Sequence, residues 1–133
     1  FPINKSEITK AILSNKVNLK KIIKIIHKEI RKKMKLFLKK NQNKKIIILD
    51  IPLLLENKIN NKNDILVFVE SKKKDIYKRL KGRQGFNPSL LSKFRKIQIN
   101  ANYKKKKSHY IIKNDFTKKS VKNGIKNILN KIL

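Results

Sequence analysis

The stretch IIILDIPLLLE, residues 46–56, carries more information about the fold than any other part of the sequence. Its first four residues are apolar, an acid follows at Asp50, and a proline follows at Pro52. A β-branched run with such an ending predicts a short buried strand of a parallel sheet. Proline cannot continue a ladder, so the chain must leave the sheet directly after the acid. Because ligands of open α/β sheets bind beyond the carboxyl ends of the strands, Asp50 is predicted at the edge of a functional site.

The rest of the chain alternates between amphipathic helices and short apolar runs. The predicted helices are one capped by Ser6, a long one capped by Asn18, one from Ser71 to Gly82, one from Asn87-Pro88 to about Lys106, and one capped by Thr117. Two further strands are predicted at 64–69 and 110–112. This order predicts an α/β fold in which a parallel sheet is flanked by helices.

The composition is strongly basic, with 37 cationic against 8 anionic side chains and a formal charge of +29. Such a charge often indicates nucleic acid or an anionic membrane as a partner. Only four of the cationic residues are arginines, and the abundant Lys, Asn and Ile share A/T-rich codons. We therefore interpret most of the charge as compositional bias on solvated faces and expect nucleic acid not to be the partner. The sequence has no cysteine, which fits a reducing compartment, and we predict neither a membrane span nor a signal peptide.

Two pairs of basic residues stand four positions apart in predicted helices. His27 and Arg31 share a face of the long helix, and Arg79 and Arg83 stand on either side of Gly82, near the carboxyl end of a later helix. Either pair could bind phosphate oxygens, because arginine offers two parallel donors. The alternatives are an ordinary surface histidine in the first pair, and cations that complement the helix dipole in the second.

Three polar residues stand at or near predicted strand ends. Asp50 could orient a magnesium-bound water, accept a hydrogen bond from a substrate hydroxyl, or hold the turn around Pro52. Glu56 has a similar status, since acids are scarce in this chain. Asn114 follows the strand at 110–112, where its amide could bind an adenine edge or form a turn. We expect Asp50, His27 and Arg31 to face one cleft.

In their order along the chain, these segments resemble the dephospho-coenzyme A kinase family of P-loop kinases. Six segments carry the resemblance: 25–31 is similar to the pattern IIHPxIR, 47–56 to hhhDhPLLFE, 64–69 to DxVVVV, 79–83 to RLxxR, 96–98 to RIxxQ, and 108–114 to ADxVIxN. Lys28 replaces the usual proline, and Ser108-His109 replaces the usual Ala-Asp. From about Glu7 onward, the resemblance covers nearly the whole chain.

The resemblance implies ATP-dependent phosphorylation of the ribose 3′-hydroxyl of dephospho-coenzyme A in the cytoplasm, with Mg²⁺. It implies a dephospho-coenzyme A side formed by His27, Arg31, Asp50, Pro52, Leu53 and Glu56. It also implies an ATP side, with lid arginines Arg79 and Arg83 and with Asn114 near adenine. The 133 residues would form one partial domain, with a helical substrate-side region at 1–44. The remaining core and lid would lie at 45–133, with the lid at about 79–103.

One part of the family pattern is not among these residues. The phosphate-binding loop, GxxGSGKS, and the acid taken as the catalytic base precede the region that corresponds to Phe1. The catalytic residues are therefore not identified within this sequence, and no protein metal ligand is predicted here. We expect these 133 residues alone to show no kinase turnover, and turnover to appear when upstream residues are restored. The alternatives are a basic nucleic-acid-binding module, or a P-loop kinase for another nucleotide or metabolite. The oligomeric state is not predicted.

Overall fold

The computed structural model describes residues 4–133; the first three residues of the predicted region 1–44 lie outside that range. The elements are α1 (Lys5–Ser14), α2 (Lys16–Lys40), β1 (Val67–Glu70), α3 (Lys73–Lys81), α4 (Pro88–Ile97), α5 (Ala101–Lys107), β2 (Tyr110–Lys113) and α6 (Lys118–Ile132). No helix of the described part is long and apolar enough to cross a membrane.

The chain divides into two compact units. The first, here called the helical unit, contains the residues up to Ile59 together with Pro88–Gln98. The second, here called the sheet unit, contains Asn60–Asn87 together with Ile99–Leu133. The sequence predicted a boundary at residue 44, between a substrate side and a core with its lid. That boundary does not coincide with the division into these two units, and it stays a prediction.

Asparagine side chains set the ends of the first two helices. Asn4 begins α1 by accepting hydrogen bonds from the amides of Ser6 and Glu7, and Asn15 begins α2 by accepting one from Val17. The predicted caps at Ser6 and Asn18 were therefore wrong. The Asn18 side chain lies inside α2 and instead donates to the carbonyl oxygen of Ala11, 2.8 Å away.

The helical unit is held together by α1, α2 and α4. Ile12, Leu19 and Ile59 are its buried apolar residues, and α1 contacts both α2 and α4. The ammonium of Lys93 on α4 donates to the carbonyl oxygens of Ile12 and Leu13, at 2.8 and 2.7 Å. These carbonyls belong to the last turn of α1, where they have no partner within the helix.

The buried strand predicted at residues 46–49 is not formed. The segment has no regular secondary structure, no ladder of the described residues includes it, and Ile48 is 84% exposed. A strand requires a hydrogen-bonded neighbour, and the described residues of the helical unit supply only helices and turns. Because this segment belongs to no sheet, the predicted departure from a sheet after Asp50 does not occur; a turn runs from Pro52 to Lys58.

The sheet unit contains a parallel pair of strands covered by a helix. β1 pairs with β2 in a register that runs from Val67 opposite Tyr110 to Glu70 opposite Lys113. The predicted strands at 64–69 and 110–112 are confirmed, although β1 starts only at Val67 and its valines are exposed. α6 packs on β2 at Gly124, where an added Cβ would lie 3.0 Å from the Ile112 side chain. The predicted α/β class with a parallel sheet is therefore confirmed.

The helices between the two strands begin and end partly where the sequence predicted. α3 ends at Gly82, as predicted, but its first residue follows Lys72, so Ser71 is not its cap. The predicted helix from Pro88 to about Lys106 is interrupted after Ile97. The side chain of Asn100 accepts a hydrogen bond from the amide of Asn102, which begins a separate helix, α5.

Candidate functional site

The helical unit has a groove between α2 and the turn that follows Pro52, here called the helix groove. Its volume is about 610 Å³. It contains His27, Arg31, Leu53 and Glu56, four of the six residues predicted for the substrate side. Asp50 and Pro52 are exposed and do not line it, so their assignment stays a prediction. The full lining is Lys20, Ile23, Lys24, His27, Lys28, Arg31, Leu53, Glu56, Asn57 and Ile97.

The turn that forms one wall of the helix groove ends like a short helix. The amide of Ile59 donates to the carbonyl oxygen of Leu54 at 3.0 Å, and that of Lys58 donates to Leu55 at 3.2 Å. Lys58 takes a positive φ of 48°, so this is the double hydrogen bond of a Schellman ending with a lysine in the left-handed position. The buried Ile59 anchors the ending to the core of the helical unit.

Arg31 binds the end of this turn. Its two terminal nitrogens donate to the carbonyl oxygens of Asn57 and Lys58, residues 26 and 27 positions further along the chain. A guanidinium offers five N–H donors, so others remain for a ligand. In this structure Arg31 therefore fixes the groove wall and can still bind an anion with its exposed face.

His27 lies beneath the same wall and is 94% buried, so the alternative of an ordinary surface histidine is wrong. The side-chain nitrogen of Asn57 lies 3.2 Å from His27 Nε2 and also donates to the carbonyl oxygen of Leu53 at 3.0 Å. An amide nitrogen can only donate, so Nε2 accepts, and the proton of the neutral ring is assigned to Nδ1. Nδ1 has no protein partner within residues 4–133.

Two kinds of groove residue were missed by sequence reasoning. Asn57 contacts both predicted cations, yet its only signal was its place directly after Glu56. Lys20, Lys24 and Lys28 recur every fourth residue on α2, so they line one side of the helix and extend the positive charge of Arg31. They were indistinguishable from the many other lysines of the chain. Glu56 is the only acid in the lining.

The sheet unit has a groove at the carboxyl edge of the sheet, here called the sheet groove. Its volume is about 460 Å³. Arg79 and Asn114, both predicted on the ATP side, line it, whereas Arg83 does not. Arg83 is exposed, and its backbone forms the turn after α3, so its ATP role stays a prediction. The full lining is Arg79, Asn114, Phe116, Thr117, Lys118, Val121, Lys122 and Ile125.

Phe116 is the residue of the sheet groove that no sequence pattern indicated. The guanidinium carbon of Arg79 lies 4.5 Å from the centroid of its ring, a cation–π contact. Its backbone φ is 66°, which is unusual for a bulky side chain. The Asn114 side-chain oxygen accepts a hydrogen bond from the Phe116 amide at 2.8 Å, so the turn-forming role considered for Asn114 is the one observed.

Asp115 closes the same loop against the start of α6. Its carboxylate accepts hydrogen bonds from the Thr117 amide at 2.9 Å, from the Thr117 hydroxyl at 2.7 Å, and from the Ser120 hydroxyl. Chiefly the Ser120 bond, and then those from Thr117, lower the pKa of Asp115 from 3.8 to about 2. Thr117 caps α6 as predicted, by accepting from the Ser120 amide at 3.3 Å.

The described residues do not form a metal site of their own. No three His, Cys, Asp or Glu side chains within residues 4–133 converge in a way that could hold an ion. What the two grooves offer is a set of cationic donors around apolar walls, which suits anionic organic ligands better than bare cations.

Comparison with known proteins shows one family. The family model for dephospho-CoA kinase matches residues 2–120. The dephospho-CoA kinase of Wolbachia pipientis wMel is 26% identical over 132 residues, which are 98% of this chain and 67% of that protein. The enzyme of the same name from Fusobacterium nucleatum subsp. nucleatum is 30% identical over 113 residues, 85% of this chain and 58% of its own length. That of Prochlorococcus marinus subsp. pastoris is 30% identical over 127 residues, 96% of this chain and 62% of its own length.

The match to the family model covers most of the sequence and includes the whole lining of the helix groove. Of the sheet groove it includes Arg79 and the lining residues from Asn114 to Lys118, whereas Val121, Lys122 and Ile125 on α6 lie beyond it. The relatives agree with one another in name, although each is longer than this chain. On these findings, the chain belongs to the dephospho-CoA kinase family.

Proposed function

We propose that the protein containing these residues is a kinase that transfers the γ-phosphoryl group of ATP to the 3′-hydroxyl of dephospho-coenzyme A. The observation that carries this proposal is the match of the family model over residues 2–120. The relatives named dephospho-CoA kinase support the same substrates. The proposal includes a cytoplasmic location, which the absence of cysteine favours.

In this proposal the helix groove binds dephospho-coenzyme A. That molecule carries phosphate groups and a long arm in which methyl and methylene groups separate two amides, and the groove joins Lys20, Lys24, Lys28 and Arg31 to apolar side chains. The exposed face of Arg31 would contact a phosphate, while its other nitrogens hold the Asn57 turn. Asp50 and Pro52 stay part of the proposed acceptor side, although they do not line this groove.

The sheet groove would bind ATP. Arg79, Lys118 and Lys122 supply positive charge for phosphates, and Asn114 stands where parallel strands end, at the edge that binds ligands in such sheets. Arg83 is the second arginine proposed to reach the phosphates. Phosphoryl transfer depends mainly on positioning and charge neutralisation, and these cations would serve both.

Magnesium enters this proposal only as the ion carried by the ATP phosphates, because residues 4–133 form no three-ligand site for it. The 133 residues also contain no GxxxxGK[ST] sequence. Their proposed contribution is therefore to bind and orient the two substrates and to exclude water from them.

The test is an assay of the complete native protein with ATP, Mg²⁺ and dephospho-coenzyme A, following coenzyme A formation. Arg31→Ala should lower kcat/KM for dephospho-coenzyme A roughly 10- to 100-fold, because a charge-assisted hydrogen bond contributes about 1.5–3 kcal/mol. Lys35→Ala is the matched control, since Lys35 is an exposed cation on the same helix, lines neither groove and lies outside the predicted lid. Its kinetics should match those of the unaltered protein.

Two results would contradict the proposal. One is turnover with another nucleotide or metabolite in place of dephospho-coenzyme A, which would indicate a different kinase. The other is absence of turnover together with salt-dependent binding of RNA or DNA, which would indicate the nucleic-acid-binding alternative.

A further inference from the structure

We propose that Phe116 is the stacking platform for the base of the nucleotide in the sheet groove. This inference rests on the proposed function, because it names the part of ATP that one residue of that groove would bind. Asn114 and the two arginines were predicted for the ATP side from the sequence, whereas Phe116 belonged to no motif. The argument starts from how its ring is held.

The backbone conformation at Phe116 leaves part of the ring exposed in the sheet groove. Its φ of 66° is uncommon for an aromatic residue, and its side chain is still 38% exposed. Hydrogen bonds on both sides hold this conformation: Asn114 accepts from the Phe116 amide, and Asp115 accepts from the amide of Thr117. Unusual backbone geometry held by its surroundings is common at binding sites.

The ring already accepts a planar partner. The guanidinium of Arg79 lies over it at 4.5 Å, and a guanidinium resembles a nucleobase in being flat, delocalised and able to stack on an aromatic face. Phe116 therefore offers a face suited to a base, and in this structure the arginine covers that face.

The surroundings of the ring divide the groove into an apolar part and a charged part. Val121 and Ile125 line the groove beside Phe116, whereas Lys118 and Lys122 supply cations on the same helix. A base stacked on the ring would be buried against apolar atoms. The phosphates of the same nucleotide would then contact Lys118 and Lys122. A nucleotide combines both chemistries in one molecule.

This arrangement assigns separate roles to Phe116 and Arg79. The base takes the place of the guanidinium on the ring, and the displaced arginine becomes available to the phosphates. Because every base has a π face, the platform contributes affinity and does not select among bases. Substitution of Phe116 should therefore weaken the binding of ATP and the binding of GTP by the same factor.

The experiment compares three probes, ATP, adenosine and inorganic tripolyphosphate, by calorimetric titration of the complete native protein. Phe116→Leu should weaken the binding of ATP and of adenosine roughly 10-fold, as expected for one lost stacking contact. It should leave the binding of tripolyphosphate unchanged. Arg79→Ala should give the opposite result: it should weaken the binding of ATP and tripolyphosphate and strengthen the binding of adenosine, because the base no longer has to displace the guanidinium from the ring. Phe37→Leu is the matched control: it removes an exposed phenylalanine that lines neither groove and should change none of the three.

Two further variants separate binding from folding. Phe116→Gly relieves the positive φ, so a loss of adenosine binding in that variant follows from the missing ring and not from backbone strain. Phe116→Trp keeps an aromatic face and should bind ATP within about 3-fold of the unaltered protein, since stacking tolerates any aromatic ring. These 133 residues contain no tryptophan, so the difference in fluorescence quenching by ATP or adenosine between Phe116→Trp and the unaltered protein reports the stacking on the introduced indole.

Turnover of dephospho-coenzyme A with unchanged ATP affinity and unchanged KM for ATP in Phe116→Leu and Phe116→Gly would overturn this inference alone. Failure of the unaltered protein both to bind ATP and to turn over would overturn the proposed function and this inference together. A 10-fold rise in KM for ATP, with kcat and KM for dephospho-coenzyme A unchanged, would support the platform.

Discussion

The two grooves are built by different kinds of interaction. In the helix groove, the hydrogen bonds that fix the wall join residues 26 to 30 positions apart, with Asn57 meeting both His27 and Arg31. In the sheet groove, the side chains of Asn114, Asp115 and Thr117 bond to partners two to five residues away. Long-range hydrogen bonds exist only once the unit has folded, whereas local hydrogen bonds can form as soon as the loop itself takes up its conformation. The comparison predicts different responses to mutation.

The largest expected effect tests whether the sheet groove also depends on tertiary packing. Gly124→Leu places a large side chain where even a Cβ would lie 3.0 Å from Ile112, which is itself buried. Because α6 carries half of the groove lining and packs on β2, overpacking should lower the free energy of unfolding by about 3 kcal/mol. Urea unfolding measures this.

The control for that substitution is Gly82→Leu. A Cβ at Gly82 would meet its nearest atoms only at 3.8 and 3.9 Å, and the residue has a helical backbone. The control should therefore change the free energy of unfolding by less than about 0.5 kcal/mol. Equal effects of the two variants would show that the contact of α6 with β2 is not what constrains position 124.

A smaller effect is expected from the long-range contact of the helix groove. Asn57→Ala removes the donor to His27 Nε2 and leaves both ring nitrogens of a buried side chain without a protein donor or acceptor. The free energy of unfolding should fall by about 2 kcal/mol. Thermal or urea unfolding checks this, with the exposed Asn63→Ala as a control that should be neutral. If Asn57→Ala were as neutral as its control, the groove wall would be held without this bond.

The smallest effect concerns the local network and appears only in acid. The folded-state pKa of Asp115 is lowered from 3.8 to about 2, so its hydrogen bonds contribute fully above about pH 4 and are lost as the pH falls toward 2. Asp115→Asn should flatten the dependence of the melting temperature on pH in that interval and leave it unchanged in shape above. Melting curves from pH 2 to pH 6 measure this. An identical acid dependence in both proteins would show that Asp115 does not titrate with folding.

The sequence predicted best where a signal and its partner are close together along the chain. Thr117 caps α6, Gly82 ends α3, and the parallel strands lie close to where apolar runs placed them. The same closeness explains the errors at Ser6 and Asn18, since several neighbouring polar residues can each cap a helix and the choice among them depends on backbone detail.

The predicted strand at 46–49 failed for the opposite reason. An apolar β-branched run states a preference, but a strand forms only where another backbone supplies hydrogen-bonding partners, and the described helical unit supplies none to this segment. The preference for an extended strand could be predicted from the residues, whereas the presence of a neighbouring strand to pair with could not.

By itself, the sequence determined the α/β class, the strand ends where Asn114 stands, and the order of motifs that resembles one kinase family. Only the tertiary structure decided that His27 is buried against Asn57, that Arg31 binds the end of a turn, and that Phe116 presents its ring beneath Arg79. The physical reason is distance along the chain. Caps and helix stops depend on neighbours within about five residues, whereas these contacts join side chains that meet only when distant segments pack together.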